Sequence, residues 1–140
     1  MRRLALLFAL ALTLCFAAAS AQAGVVVQIN KGSQRMTVTV DGRALYSWPV
    51  STGRRGYGTP SGVFRPHMLA RRWYSRKYYN SPMPYSIFYH KGFAIHGTMY
   101  LSQLGGPASH GCVRLHPANA AMLFGLVQRY GMGSTRIVIS

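Results

Sequence analysis

From Val25 to Val50 apolar and polar side chains alternate with a period of two, which commits the start of the domain to half-buried strands. Val25 to Ile29 is one run. Gln34 to Val40 sets Met36, Val38 and Val40 on one face and Thr37 and Thr39 on the other. Asp41-Gly42 then signals a two-residue hairpin turn, with Arg43 to Val50 as the returning strand. The following STGRRGYGTPSG, Ser51 to Gly62, is dense in Gly, Ser, Thr and Pro and reads as loop rather than core element. Pro66 to Pro84 is aromatic, basic and without a clean period, so a long surface excursion that covers or borders a cleft is expected. Ser86 to His90 and Phe93 to His96 read as paired strands turning at Lys91-Gly92, and Thr135 to Ile139 as a closing strand. The one clear helix is Pro117 to Tyr130. Proline suits its first turn, Ala120, Ala121, Leu123, Leu126 and Val127 mark an apolar side, and Gly131 suits its end. These signals predict a strand-rich antiparallel domain with one main helix, and Cys112 in the connection just before that helix.

Residues 1–23 have a basic start at Arg2 and Arg3, an apolar stretch from Leu4 to Ala19, and small residues at Ala21-Gln22-Ala23, the pattern of a cleaved signal peptide. The apolar run is short of the roughly 20 residues that span a bilayer, which argues against an anchor. Cleavage after Ala23 leaves residues 24–140, a size that suits one domain, in the periplasm or cell envelope, with the membrane met only in transit. Cys15 leaves with the signal peptide. Cys112 then stands alone in an oxidising compartment, where an unpaired thiol is a liability unless it is used. Sixteen Lys and Arg face a single acid, Asp41. Export argues against a nucleic-acid partner for this charge, and the basic residues are scattered, with only Arg71-Arg72 and Arg76-Lys77 forming a local cluster between aromatics, which fits a solvated face or an anionic envelope polymer.

A cysteine acts as a nucleophile through its thiolate, which an imidazolium, a basic neighbour or a helix N-terminus favours. Around Cys112 the candidates are His110 or His96, Arg114, and the helix that begins at Pro117. His96 is the better base because it ends an apolar strand, FAIHG, where a fixed side chain can be aimed into a cleft. A third group normally orients such an imidazole. Asp41 sits in a turn, so a backbone carbonyl or hydroxyl is expected in that role. Gly111 lets the backbone approach a substrate, and amides around Cys112 can line an oxyanion hole. His96, His110, Cys112 and His116 can also be counted as zinc ligands, but their spacing matches no ligand pattern. His67 and His90 read as surface or strand residues, and His116 as a helix-start residue.

Four stretches in order, VSTG (50–53), TPSGVF (59–64), AIHGT (94–98) and SHGCVRL (109–115), give the chain a close resemblance to the L,D-transpeptidases of bacterial cell walls, the YkuD-type catalytic domain. The resemblance covers nearly all of residues 24–140. It implies a mostly β, antiparallel, sandwich-like fold with one main helix after the nucleophile. It implies Cys112 as nucleophile, His96 as general base, the Gly97 carbonyl orienting His96, and the Gly111 and Cys112 amides as oxyanion hole. Ser109, His110 and Arg114 would contact substrate, with no metal or cofactor. Arg114 departs from the asparagine frequent at this position, and Asn119 from an acid frequent in the helix. The implied reaction is acyl transfer from a peptidoglycan tetrapeptide stem, with loss of D-alanine, to an amine of a second stem or of an outer-membrane protein or lipoprotein. Water as acceptor would make it an L,D-carboxypeptidase. A catalytically silent wall-binding module is the reading from a different class.

Overall fold

The period-two stretches form strands β1 (Val25–Asn30), β2 (Arg35–Val40) and β3 (Arg43–Pro49) in the computed structural model, which describes residues 24–140. The expected signal peptide lies outside the described residues. Val25, Val27 and Ile29 of β1 and Met36, Val38 and Val40 of β2 all point into the core, as their alternation requires. At the β2–β3 turn Asp41 and Gly42 both take positive φ, 48° and 80°, the backbone of a type I′ turn whose twist suits a hairpin.

Short strands follow, β4 (Gly62–Phe64), β5 (Met68–Ala70), β6 (Tyr74–Ser75) and β7 (Ser81–Pro82), and then β8 (Ser86–His90), β9 (Phe93–Gly97) and β10 (Val113–Leu115). Helix α1 (Pro117–Tyr130) and strand β11 (Thr135–Ile139) complete the chain. One sheet has the order β3-β2-β1-β11-β4, a second β10-β9-β8-β5, and β6 pairs with β7 alone. The fold is mostly β with one main helix.

Two pairings differ from the antiparallel expectation: β1 with β11 and β9 with β10 are parallel. Alternation reports which face is buried, not strand direction. A parallel neighbour needs a long crossover, and residues 98–112 supply one between β9 and β10. The expected excursion at Pro66–Pro84 also has structure of its own, since β5 joins the second sheet and β6–β7 forms a separate hairpin. Cys112 is followed by a strand, β10, before the helix begins.

The core lies between the two sheets and α1, where Val38, Ile137, Ile95, Leu115 and Leu123 are fully buried. α1 starts with Pro117 in its first turn, and His116 caps it by accepting the Ala118 N–H at Nδ1, 3.1 Å away. Its buried side is Ala120, Leu123, Phe124 and Val127. A smaller cluster of Met83, Phe88 and Ala94, with Cys112 packed against it, forms on the opposite face of the second sheet. The site is built on that face. Among the described residues no helix is long and apolar enough to cross a membrane.

Candidate active site

Successive side chains on a strand alternate between faces, so Ile95 enters the core while Ala94 and His96 point the other way. The parallel pairing of β9 with β10 sets Arg114 beside His96. Cys112, two residues before Arg114, lies on the same side. His96, Cys112, Arg114, Ser109 and His110 line one cavity of about 790 Å³. Its other wall comes from the β6–β7 region, including Trp73, Lys77, Tyr78 and Met83. The excursion therefore borders the cleft.

His96 is only 6% exposed, and its Nδ1 lies 2.7 Å from the Gly97 carbonyl oxygen. A carbonyl can only accept, so Nδ1 carries the proton and Nε2 keeps a free lone pair. Burial lowers the His96 pKa to about 4, with the Arg114 charge adding to the effect and the Gly97 bond opposing it. Burial likewise pushes the Cys112 thiol up, against the pull of the Ala94 amide and Arg114. The thiolate that the basic neighbours of Cys112 would favour is thus disfavoured at rest. Both shifts favour the neutral thiol and the neutral imidazole.

The loop before β10 is held from two sides. Ser109 Oγ accepts the Gly111 N–H at 3.0 Å and donates to the Cys112 carbonyl at 2.6 Å. Ser109 is 1% exposed, so its hydroxyl shapes the loop rather than reaching for substrate as expected. The Gly111 amide is likewise engaged within the loop, which leaves the Cys112 amide as the oxyanion donor to consider. From the other side Thr59 Oγ1 donates to the Gly111 carbonyl at 2.7 Å and accepts the Gly53 N–H at 2.9 Å. In a trans peptide the C=O and the next N–H point opposite ways. Fixing the Gly111 carbonyl on Thr59 therefore turns the Cys112 N–H away from Thr59. Gly111 is required by its φ of 123°, and a Cβ there would meet Phe93 Cε1 at 2.7 Å. That is a stronger reason than the approach of a substrate.

Thr59, Thr52 and Gln34 were not singled out from the sequence. Of the expected loop Ser51–Gly62, residues 51–61 form no strand or helix and Gly62 opens β4, yet Ser51, Thr52 and Thr59 are buried. Ser51 exchanges both backbone hydrogen bonds with Arg114, at 2.8 and 3.0 Å, and the Ser109 N–H donates to the Thr52 carbonyl at 3.0 Å. Gln34 in turn donates from Nε2 to Thr52 Oγ1 at 2.6 Å and accepts the Thr52 N–H at 2.9 Å. The signal for this platform was present in the VSTG and TPSG stretches of the resemblance, without a role attached.

At the cavity mouth His110 stacks on Tyr78, with ring centroids 4.1 Å apart, and meets the edge of Tyr57 at 4.9 Å. Its pKa is lowered by partial desolvation and by the charges of Arg54, Arg114 and Lys77. Arg114 Nη1 donates to Gln103 Oε1 at 3.1 Å. His67 is exposed, His90 packs on Phe64 and Phe93, and His116 caps the helix. Among the described residues no three of His, Cys, Asp or Glu gather as metal ligands.

Residues 24–139 match the family model of the YkuD L,D-transpeptidase catalytic domain. YkuD of Bacillus subtilis (strain 168) is 23% identical over 118 residues, which are 81% of this chain and 65% of that protein. An L,D-transpeptidase from Mycobacterium smegmatis superposes with a TM-score of 0.76 at 23% identity, covering 84% of this chain and 59% of the other. The L,D-transpeptidase LdtMt1 in complex with imipenem gives a TM-score of 0.75 at 22% identity, with 84% and 59% covered. The chain thus spans about 65% of the Bacillus relative's length. The ordered stretches, the two sheets with their single helix and the family match agree: the chain belongs to the YkuD family of L,D-transpeptidase catalytic domains.

Proposed function

We propose that this domain is a cysteine acyltransferase acting on peptidoglycan stem peptides. In this reading Cys112 Sγ attacks the carbonyl between the third, diamino-acid residue and the terminal D-alanine of a tetrapeptide. His96 Nε2 takes the thiol proton as the S–C bond forms, then passes it to the nitrogen of D-alanine as the C–N bond breaks, leaving a thioester on Cys112. An acceptor amine attacks the thioester, gives its proton to His96, and the proton returns to the departing sulfur. The product is a cross-link between two stems or an outer-membrane protein or lipoprotein anchored to the wall. Transfer to water would give a tripeptide.

The observation that carries this reading is the Nδ1–H of His96 held 2.7 Å from the Gly97 carbonyl, which leaves a basic Nε2 in the cavity that Cys112 also lines. A neutral imidazole and a neutral thiol that line one cavity suit proton transfer coupled to attack. The developing oxyanion would be met by the Cys112 amide, with Arg114 supplying positive charge nearby. The intact set of Cys112, His96 and Gly97 weighs against the silent binding module. Residues 1–23 support export to the periplasm or cell envelope. As imipenem is bound by the similar LdtMt1, a carbapenem is the direct probe. Wild type should gain the mass of one drug molecule and Cys112→Ala none, whereas an unmodified wild type by intact mass would count against the assignment.

A further inference from the structure

Arg54, Lys77 and Arg114 converge on His110 from three separate segments of the chain. Arg54 Nη2 lies 3.5 Å from His110 Nε2, and its guanidinium sits 4.8 Å over the Tyr57 ring that meets His110 edge-on. Lys77 Nζ is 5.4 Å from the centre of the Tyr78 ring, the ring stacked on the other side of His110. Arg114 and Lys77 line the cavity together with Cys112, as does Arg76. The two tyrosines act as collectors, since a ring face attracts a cation and holds it near the mouth.

No acidic side chain can balance this group. The sequence has one acid, Asp41, and its Oδ1 accepts the Gly24 N–H at 2.8 Å in the β2–β3 turn. Cations gathered without a counter-ion repel one another, and an anion bound among them relieves that repulsion. The charge around His110 is strong enough to lower its pKa, with Arg54, Arg114 and Lys77 all contributing. The cavity leading inward from these cations is walled by Trp73, Tyr78, Met83, Phe88 and Tyr100, a surface that suits the body of a peptide.

We propose that the mouth beside His110 is an anion subsite, in which Arg54, Lys77 and Arg114 hold free carboxylates of an acidic donor peptide whose scissile carbonyl lies at Cys112. The choice of an acidic peptide as donor rests on the acyl-transfer reading; the subsite itself is testable by binding alone. It makes carboxylate charge a selective feature of the donor. A stem with free carboxyl groups is taken and the same stem with those groups amidated is discriminated against. Guanidinium and ammonium groups bind carboxylates through charge-assisted hydrogen bonds, which an uncharged amide cannot match.

The test is calorimetric titration of the Cys112→Ala protein with a synthetic acidic tetrapeptide and with its amidated counterpart. Arg54→Gln, Lys77→Gln and Arg54→Lys are made in the same background, each checked for native circular dichroism. The acidic peptide should bind about tenfold more tightly in low salt. The two Gln variants should each shrink that preference, and Arg54→Lys should retain most of it. Equal affinities for the two peptides, no binding of either, or an unchanged preference in both Gln variants would overturn the subsite. So would loss of polyphosphate binding in those variants with the peptide preference intact, which would assign the cations to an envelope polymer. Release of D-alanine by the wild-type protein is measured separately. A binding preference without turnover would remove the acyl-transfer reading and leave the subsite standing, and turnover without preference would do the reverse.

Discussion

At Cys112 and His96 the same burial acts on both partners of the proposed reaction, raising the thiol pKa and lowering the imidazole to about 4. His96 must be neutral to accept a proton, so kcat/KM for D-alanine release should fall as pH drops through about 4, with no loss near 6.5, the value of a free histidine. At the alkaline end the plateau should extend past the range of an ordinary thiol. A rate profile with its acid limb near 6.5 would mean that an exposed histidine is the base. That both residues would meet at one cleft was legible from the sequence, because one cysteine in a polar motif and one histidine ending an apolar strand leave few candidates. The state of the pair was not legible. The sequence shows the basic neighbours that lower a thiol pKa, but desolvation depends on what packs around the group, and here it is the larger effect.

Among the elements, the loop before β10 is the one whose shape depends on a distant segment. Thr59→Val keeps the volume but removes the bond to the Gly111 carbonyl and the acceptor for the Gly53 N–H. Leaving these buried groups unpaired should cost roughly 1–3 kcal/mol of stability. If Thr59 also aims the Cys112 amide, kcat should fall about tenfold or more with KM little changed, and Thr59→Ser should keep most activity. Equal kcat in Thr59→Val and wild type would reduce Thr59 to a packing residue. Strands β1 to β3, their turn and helix α1 were readable from period, turn chemistry and capping residues, which are local. The parallel neighbours β1–β11 and β9–β10 and the platform at Ser51–Gly62 depend on contacts between remote segments. No periodicity within either partner reports such contacts.

Over the whole molecule, sixteen basic residues are left with a single acid, and that acid is spent at the first described residue, Gly24. If export cleavage precedes Gly24, its amide becomes a charged amine beside the Asp41 carboxylate, and the donor of this hydrogen bond gains a charge. Asp41→Asn should then lower the melting temperature of a chain beginning at Gly24 by a few degrees, and that of the uncleaved chain by less. Equal shifts in the two forms would show that cleavage adds nothing to this contact. Among the described residues Arg54, Lys77 and Arg114, far apart in sequence, come together around His110 at the cavity mouth. The central claim, Cys112-dependent acyl transfer, is tested most directly by mass spectrometry of purified tetrapeptide muropeptides incubated with wild type and with Cys112→Ala. A dimer that has lost one D-alanine, formed by wild type alone, is the predicted result; substrate unchanged in both samples, or the same product from both, would contradict it.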